Sequence, residues 1–168
     1  SIRGSDTDAS ILALSVLLKT GHFDDIIRRL LVIASEDCGL AMGNMYSSFF
    51  SLINAAKMVG MPEAKIILAH AVILLSTSPK SNSAYVAISK AFNDIEKKDI
   101  GPVLNHLRDC HYEGSKKLGI TGYKYPHDYP NHYVKQDYMP DNLKGTTYYT
   151  PCDNKYENSL KEYWSKIK

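Results

Sequence analysis

The stretch PEAKIILAHAVILLST, Pro62 to Thr77, decides the fold of this 168-residue chain. Its apolar residues run round the whole helical circumference instead of alternating, and only Lys65 and His70 interrupt them. Such a segment reads as a buried helix, with Pro62 in its first turn and Pro79 beyond its end. Its longest apolar run, Ile66 to Leu75, is too short to span a bilayer, so a buried central helix is expected and a membrane segment is not.

Amphipathic helices flank it on both sides. Toward the N-terminus, Ser5 and Asp6 are suitable caps for a stripe of Ile11, Leu12, Leu14, Leu17 and Leu18 that stops at Gly21. Asp24 and Asp25 then open a helix whose apolar residues, Ile26, Ile27, Leu30, Leu31, Ile33 and Ala34, recur at three and four and which ends near Gly39. Phe49, Leu52, Ile53, Ala56 and Val59 repeat the pattern from Asn44 to Val59, with Gly60 as the stop. Beyond the central helix, Ser81 or Asn82 can cap a helix in which Tyr85, Ile88, Phe92 and Ile95 form one stripe, while Lys90, Asn93, Glu96 and Lys97 face water. Short connections make these helices antiparallel neighbours in an all-α bundle of about five to seven helices.

Past Gly101 the periodicity fails. Ten of the twelve tyrosines and five of the seven prolines lie there, and prolines at 126, 130, 140 and 151 break the chain into extended pieces and turns that no helix should cross. So many aromatics argue against disorder. An irregular folded arm is expected, leading to a last helix from Lys155 to Ile167. Residues 1–98 then make a helical body, 99–154 the arm, with one or two short helices between Ile100 and Gly119, and 155–168 the final helix.

Twenty Lys and Arg against eighteen Asp and Glu give a formal charge of +2, far from the footprint of a dedicated nucleic-acid module. Three widely spaced cysteines form no CxxC pair, which fits free thiols in a reducing compartment, and the N-terminus carries no signal-peptide pattern. A cytoplasmic protein is expected. The chain starts without methionine and runs almost at once into a helix, as a piece of a longer protein would.

Several residue sets are candidate sites. His106, Cys110, His111, His127 and His132 include zinc-ligand types, but their spacing matches no metal template, and no metal is expected. Hydrogen bonds to the loop backbone of the arm are the simpler role for these histidines. Cys110, His127 and Asp128 are the only tempting nucleophilic set and lack any supporting elbow motif, so no catalytic residue is expected; His127 and Asp128 between two prolines suit a turn. No GxxxxGK followed by Ser or Thr occurs, nor GxGxxG, so this chain holds no nucleotide-binding loop and no cofactor. For contact with another subunit the candidates are Phe49 and Phe50, which point to adjacent faces and cannot both reach one core, and the arm tyrosines Tyr123, Tyr125, Tyr129, Tyr133 and Tyr138. For DNA or a protein partner they are Lys116, Lys117, Lys124 and Lys135, which lie among tyrosines.

The runs RRLLVIASEDCGLA (28–41), VGMPEAKIILAHAVILLSTSPKSNSAY (59–85), HLRDCHYEGSKKLG (106–119), GYKYPHDYP (122–130) and Tyr138 to Pro151 together resemble the C-terminal domain of the RarA/MgsA family of replication-associated recombination AAA+ ATPases, relatives of the Werner-helicase-interacting protein. The resemblance covers essentially the whole chain and departs from the family pattern at Cys38 and Cys110, both small replacements that a helical core tolerates. It implies a fold similar to the oligomerisation domains that follow the AAA+ module in clamp-loader subunits, joining four subunits. It further implies a full-length DNA-dependent ATPase, using ATP and Mg in an N-terminal module absent from this chain. That protein would act in replication, recombination and repair at stalled forks near the bacterial nucleoid, with fork proteins such as single-strand-binding protein as partners. Two readings stand side by side: a homo-oligomerisation domain, or a DNA- or partner-binding module built on the Lys/Tyr-rich half.

Overall fold

The computed structural model describes residues 1–108 and 122–168. All regular elements among them are helical. They are α1 (Thr7–Lys19), α2 (Phe23–Ile33), α3 (Met45–Val59), α4 (Ala64–Thr77), α5 (Ser83–Lys97) and α6 (Lys155–Ser165), as an all-α bundle requires. The chain divides into two compact units: Ser1–Ile88 with Tyr149–Glu162, and Ser89–Tyr148 with Tyr163–Lys168.

In the first unit α1 starts where the sequence places its cap, with the Asp6 carboxylate accepting the Ala9 N–H at 2.9 Å. It stops at Thr20, before Gly21, whose φ of 81° an L side chain rarely adopts. From α2 the chain continues through a π-helical turn, Ala34–Cys38, and a 3-10 turn, Gly39–Met42, before α3 begins. The wider π turn buries Ala34, Asp37 and Cys38, and the Cys38 thiol donates to the Leu75 carbonyl at 3.6 Å. Burial pushes that thiol's pKa up, so Cys38 is a small core residue and not a nucleophile.

Helix α4 is the central element, packed between α1 and α3. It is not buried all round. Ala64, Leu68, Ala71, Val72 and Leu75 are buried, whereas Ile66 and Ile73 are 67% and 43% exposed, and His70 on the same face is exposed too. The helix also starts later than the sequence suggests: the Met61–Pro62 peptide is cis, and Pro62 belongs to the preceding turn. Its C-terminal end is closed by a residue that the helical pattern does not flag. The Lys80 ammonium donates to the carbonyls of Leu75, Ser76 and Ser78 at 3.1, 3.2 and 2.6 Å, satisfying acceptors left free at a helix terminus. Phe49 and Ile53 from α3, Leu14 from α1 and Ile26, Ile27 and Leu30 from α2 complete the core.

The second unit contains the irregular arm. Among the described arm residues there are four short 3-10 turns and no α-helix. Polar ties hold it. The Gln136 amide donates to the Lys124 carbonyl at 2.7 Å and accepts the Lys124 N–H at 3.1 Å, folding the arm back on itself. His106 Nε2 is 2.8 Å from the Asp137 carbonyl, the loop-backbone role expected of these histidines. The Asn142 amide donates to the Asp99 carbonyl, and the Tyr148 hydroxyl donates to the Asp94 carboxylate at 3.1 Å. Lys98 pairs with Asp94 at 2.8 Å and holds that carboxyl below its usual pKa. Leu143 supplies a buried apolar anchor.

Candidate functional site

In the first unit, the residue that fastens the C-terminal helix is a carboxylate that the sequence reading does not single out. Glu157, in the first turn of α6, is fully buried. It accepts hydrogen bonds from Ser81 Oγ at 2.6 Å, from the Tyr149 hydroxyl at 2.9 Å and from the Asn154 amide. Its own N–H donates to Asn154 Oδ1 at 3.0 Å, so the Asn154 side chain caps the helix start while its amide donates to the glutamate. Burial alone pushes the carboxyl upward, but the donors, Ser81, Ser83, Asn154 and Tyr149, outweigh it and hold the pKa at about 2. Burial, and then the facing carboxylate, push Tyr149 to about 12.

The lock extends across the unit. The Ser81 N–H donates to the Asp37 carbonyl at 2.8 Å, and the Asp37 carboxylate is paired with Arg3. Gly39 fits beside this seam because it lacks a side chain: at its φ of 45°, a Cβ would lie 2.6 Å from the Ser81 carbonyl oxygen. Among the described residues no buried side-chain nitrogen or oxygen lacks a hydrogen-bond partner.

What the described residues do present is apolar surface. Along α5, Tyr85, Ile88, Phe92 and Ile95 are 51%, 55%, 59% and 58% exposed, so the stripe that looks like a core face in sequence lies open. Its spacing, three, four and three residues, is that of the a and d positions of a coiled-coil seam. In the first unit, Tyr85 and Ile88 form one wall of an open groove of about 670 Å³, also lined by Leu31, Val32, Tyr46 and Ala84.

The candidate contact residues separate in the structure. Phe49 is fully buried in the core and offers no surface, whereas Phe50, its neighbour on α3, is 47% exposed; the pair does face two ways. Tyr123, Tyr125, Tyr129 and Tyr138 are exposed, and Tyr133 is half-buried with its ring 6.1 Å from Trp164. Lys124 and Lys135 are exposed on the arm. Lys116, Lys117, Cys110 and His111 lie outside the described residues; of the span Ile100 to Gly119, where one or two short helices are expected, the part up to Arg108 holds the 3-10 turn Asn105–Leu107 and the rest is outside the described residues. His127 with Asp128 does form a turn, the 3-10 turn Pro126–Asp128. His127 and His132 face each other with rings 4.9 Å apart, and among the described residues no three of His, Cys, Asp or Glu converge as metal ligands would.

Sequence reasoning missed Glu157 and the exposure of the α5 stripe. Asn154 three residues before Glu157 was a readable sign of a helix start, and the spacing from Tyr85 to Ile95 was a readable sign of a seam between helices. Neither says which side water occupies.

The family model described as "MgsA AAA+ ATPase C terminal" matches residues 4–168. The chain is 48% identical over 169 residues to the replication-associated recombination protein A of Bacillus subtilis (strain 168), covering 99% of this chain and 40% of that protein. It is 36% identical over 174 residues to the Haemophilus influenzae protein of the same name, covering 100% of this chain and 38% of the relative. It is 30% identical over 152 residues to the ATPase WRNIP1 of Dictyostelium discoideum, covering 89% of this chain and 17% of the relative. The chain thus spans at most two-fifths of the length of these three relatives. Among the described residues no helix is long and apolar enough to cross a membrane. By the extent of the family match, the chain belongs to the family of MgsA AAA+ ATPase C-terminal domains.

Proposed function

We propose that this domain assembles subunits of a longer AAA+ ATPase into a tetramer, with the α5 stripe as the main contact between copies. The observation that carries the reading is the exposure of Tyr85, Ile88, Phe92 and Ile95 on one helix face at seam spacing. Half-exposed aromatic and branched side chains of this size bring roughly 300–400 Å² per copy, about half of what a standard interface needs from each partner. In the first unit, the groove beside Tyr85 and Ile88, walled by Leu31, Val32 and Tyr46, adds further apolar surface. A patch of this kind on an otherwise polar helix is characteristic of an assembly surface.

The domain acts through geometry. The sequence carries neither of the glycine-rich phosphate-binding motifs, which supports assigning ATP and Mg to a module outside this chain; assembly would set the spacing of those modules and raise their effective concentration on DNA. The names of the bacterial relatives support placing the whole protein in replication-associated recombination. Beyond those names, the proposal makes it a cytoplasmic, nucleoid-associated enzyme that meets DNA and single-strand-binding protein at forks.

The test is the double variant Ile88→Asp/Phe92→Asp, characterised by circular dichroism and light scattering. Both side chains are more than half exposed, so helicity is retained while the mass falls toward one chain. A variant that keeps the parent mass overturns the assignment of the contact.

A further inference from the structure

The segment YPHDYPNHY, Tyr125 to Tyr133, contains a tandem pattern: Tyr-Pro-x-x, repeated, then Tyr. Each proline starts a 3-10 turn, Pro126–Asp128 and Pro130–His132, and each tyrosine precedes its turn in extended backbone. The second turn is strained. Asn131 and His132, neither of them glycine, have φ of 56° and 53°, a region that costs an L residue energy and persists where something holds it or uses it.

The strained turn does one visible thing: it brings the His132 ring onto His127. The rings of Tyr125 and His127 are 5.1 Å apart, and those of His127 and His132 are 4.9 Å apart, giving three tilted rings in succession. None is buried: Tyr125 is 53% exposed, and both histidines are exposed. Tyr129, 38% exposed, stands between the two turns. Exposed Lys124 and Lys135 flank the segment, which contains one aspartate, the exposed Asp128; Asp137, beyond Lys135, is paired with Lys144 at 3.1 Å.

We propose that this ring ladder is a stacking platform for single-stranded nucleic acid. Stacking on planar rings needs no sequence readout, because every base has a π face, and flanking lysines can follow the phosphates. An aliphatic protein partner would instead favour branched apolar residues around the rings, and Val134 is the only such residue between Gly122 and Tyr138. Duplex DNA, whose bases are already stacked, cannot use such a ladder. The proposal stands apart from the assembly reading, since it uses no residue of α5.

Fluorescence anisotropy of the chain with a labelled oligo-deoxythymidylate of about eight nucleotides tests it, since single-strand sites of this class span a few to about sixteen nucleotides. Binding is expected at about 50 mM salt, weakening steeply toward 200 mM. Tyr125→Ala/His132→Ala should weaken it about 5- to 150-fold for each base stack lost, while Tyr125→Phe, which keeps the ring, should stay within about twofold. Circular dichroism and light scattering on the same variants should show parental helicity and mass. Absence of binding at low salt, parental affinity in the alanine variant, or equal affinity for duplex would each overturn the platform, whatever the mass of the chain proves to be.

Discussion

Ser81 and Glu157, 76 positions apart, are joined by a hydrogen bond of 2.6 Å in which the serine hydroxyl donates to a fully buried carboxylate. The same serine's N–H is held by the Asp37 carbonyl. One residue in the α4–α5 connection therefore ties the π turn after α2 to the C-terminal helix.

Removing the acceptor should be costly. In Glu157→Ala the donors Ser81, Tyr149 and Asn154 lose their common partner inside the protein, and each buried donor left unsatisfied costs about 1–3 kcal/mol. Partial rescue by water lowers the sum, and a loss of about 2–4 kcal/mol in urea unfolding is expected. A loss below about 0.5 kcal/mol, within the range of an ordinary surface substitution, would show that the network holds nothing.

The same carboxylate predicts an acid limb. Its folded pKa, about 2, lies below the unfolded value of 4.5, so its contribution is complete above pH 4.5 and is lost as the pH falls toward 2. The size is on the order of 3 kcal/mol. Unfolding free energy measured from pH 6 to 2 should fall in that window, and in Glu157→Gln that part of the slope should disappear. An identical slope in the variant would assign the acid limb to other carboxylates.

Much of the helical body was legible in sequence because its signals are local. The Asp6 cap, the Gly21 and Gly60 stops and the prolines at 126 and 130 each act within one turn of themselves, and the structure follows them. The exposed face of α4 was not legible. Ile66 and Ile73 are as apolar as Leu68 and Leu75, and only the placing of α1 and α3 decides which pair water meets. The α5 stripe has the same ambiguity, since amphipathicity marks a face that wants a partner without saying whether that partner lies in the same chain. Glu157 was hidden for the opposite reason: its donors come from distant segments, and a glutamate in a first helical turn ordinarily faces solvent.

Gly39 and Gly21 should separate space from conformation. Gly39→Ala combines a φ of 45° with a Cβ 2.6 Å from the Ser81 carbonyl oxygen, and should destabilise by about 2–4 kcal/mol through strain plus displacement of the seam. Gly21→Ala has a φ of 81° but open space around the new methyl, and should cost only about 1 kcal/mol. Equal costs in thermal unfolding would mean that the Ser81 contact yields freely.

Phe49 and Phe50 offer a second paired comparison. Phe49→Ala empties a fully buried site and should cost about 3–5 kcal/mol. Phe50→Ala, on a ring 47% exposed, should cost under about 1 kcal/mol. Denaturant midpoints that reverse this order would contradict the core assignment.

The central claim is that this domain assembles, and the most direct test is its solution mass by light scattering across a concentration series. The account predicts a stable mass near four times the 18.8 kDa chain. A mass of one chain at every concentration would contradict it, leaving the exposed α5 stripe for a partner of another kind.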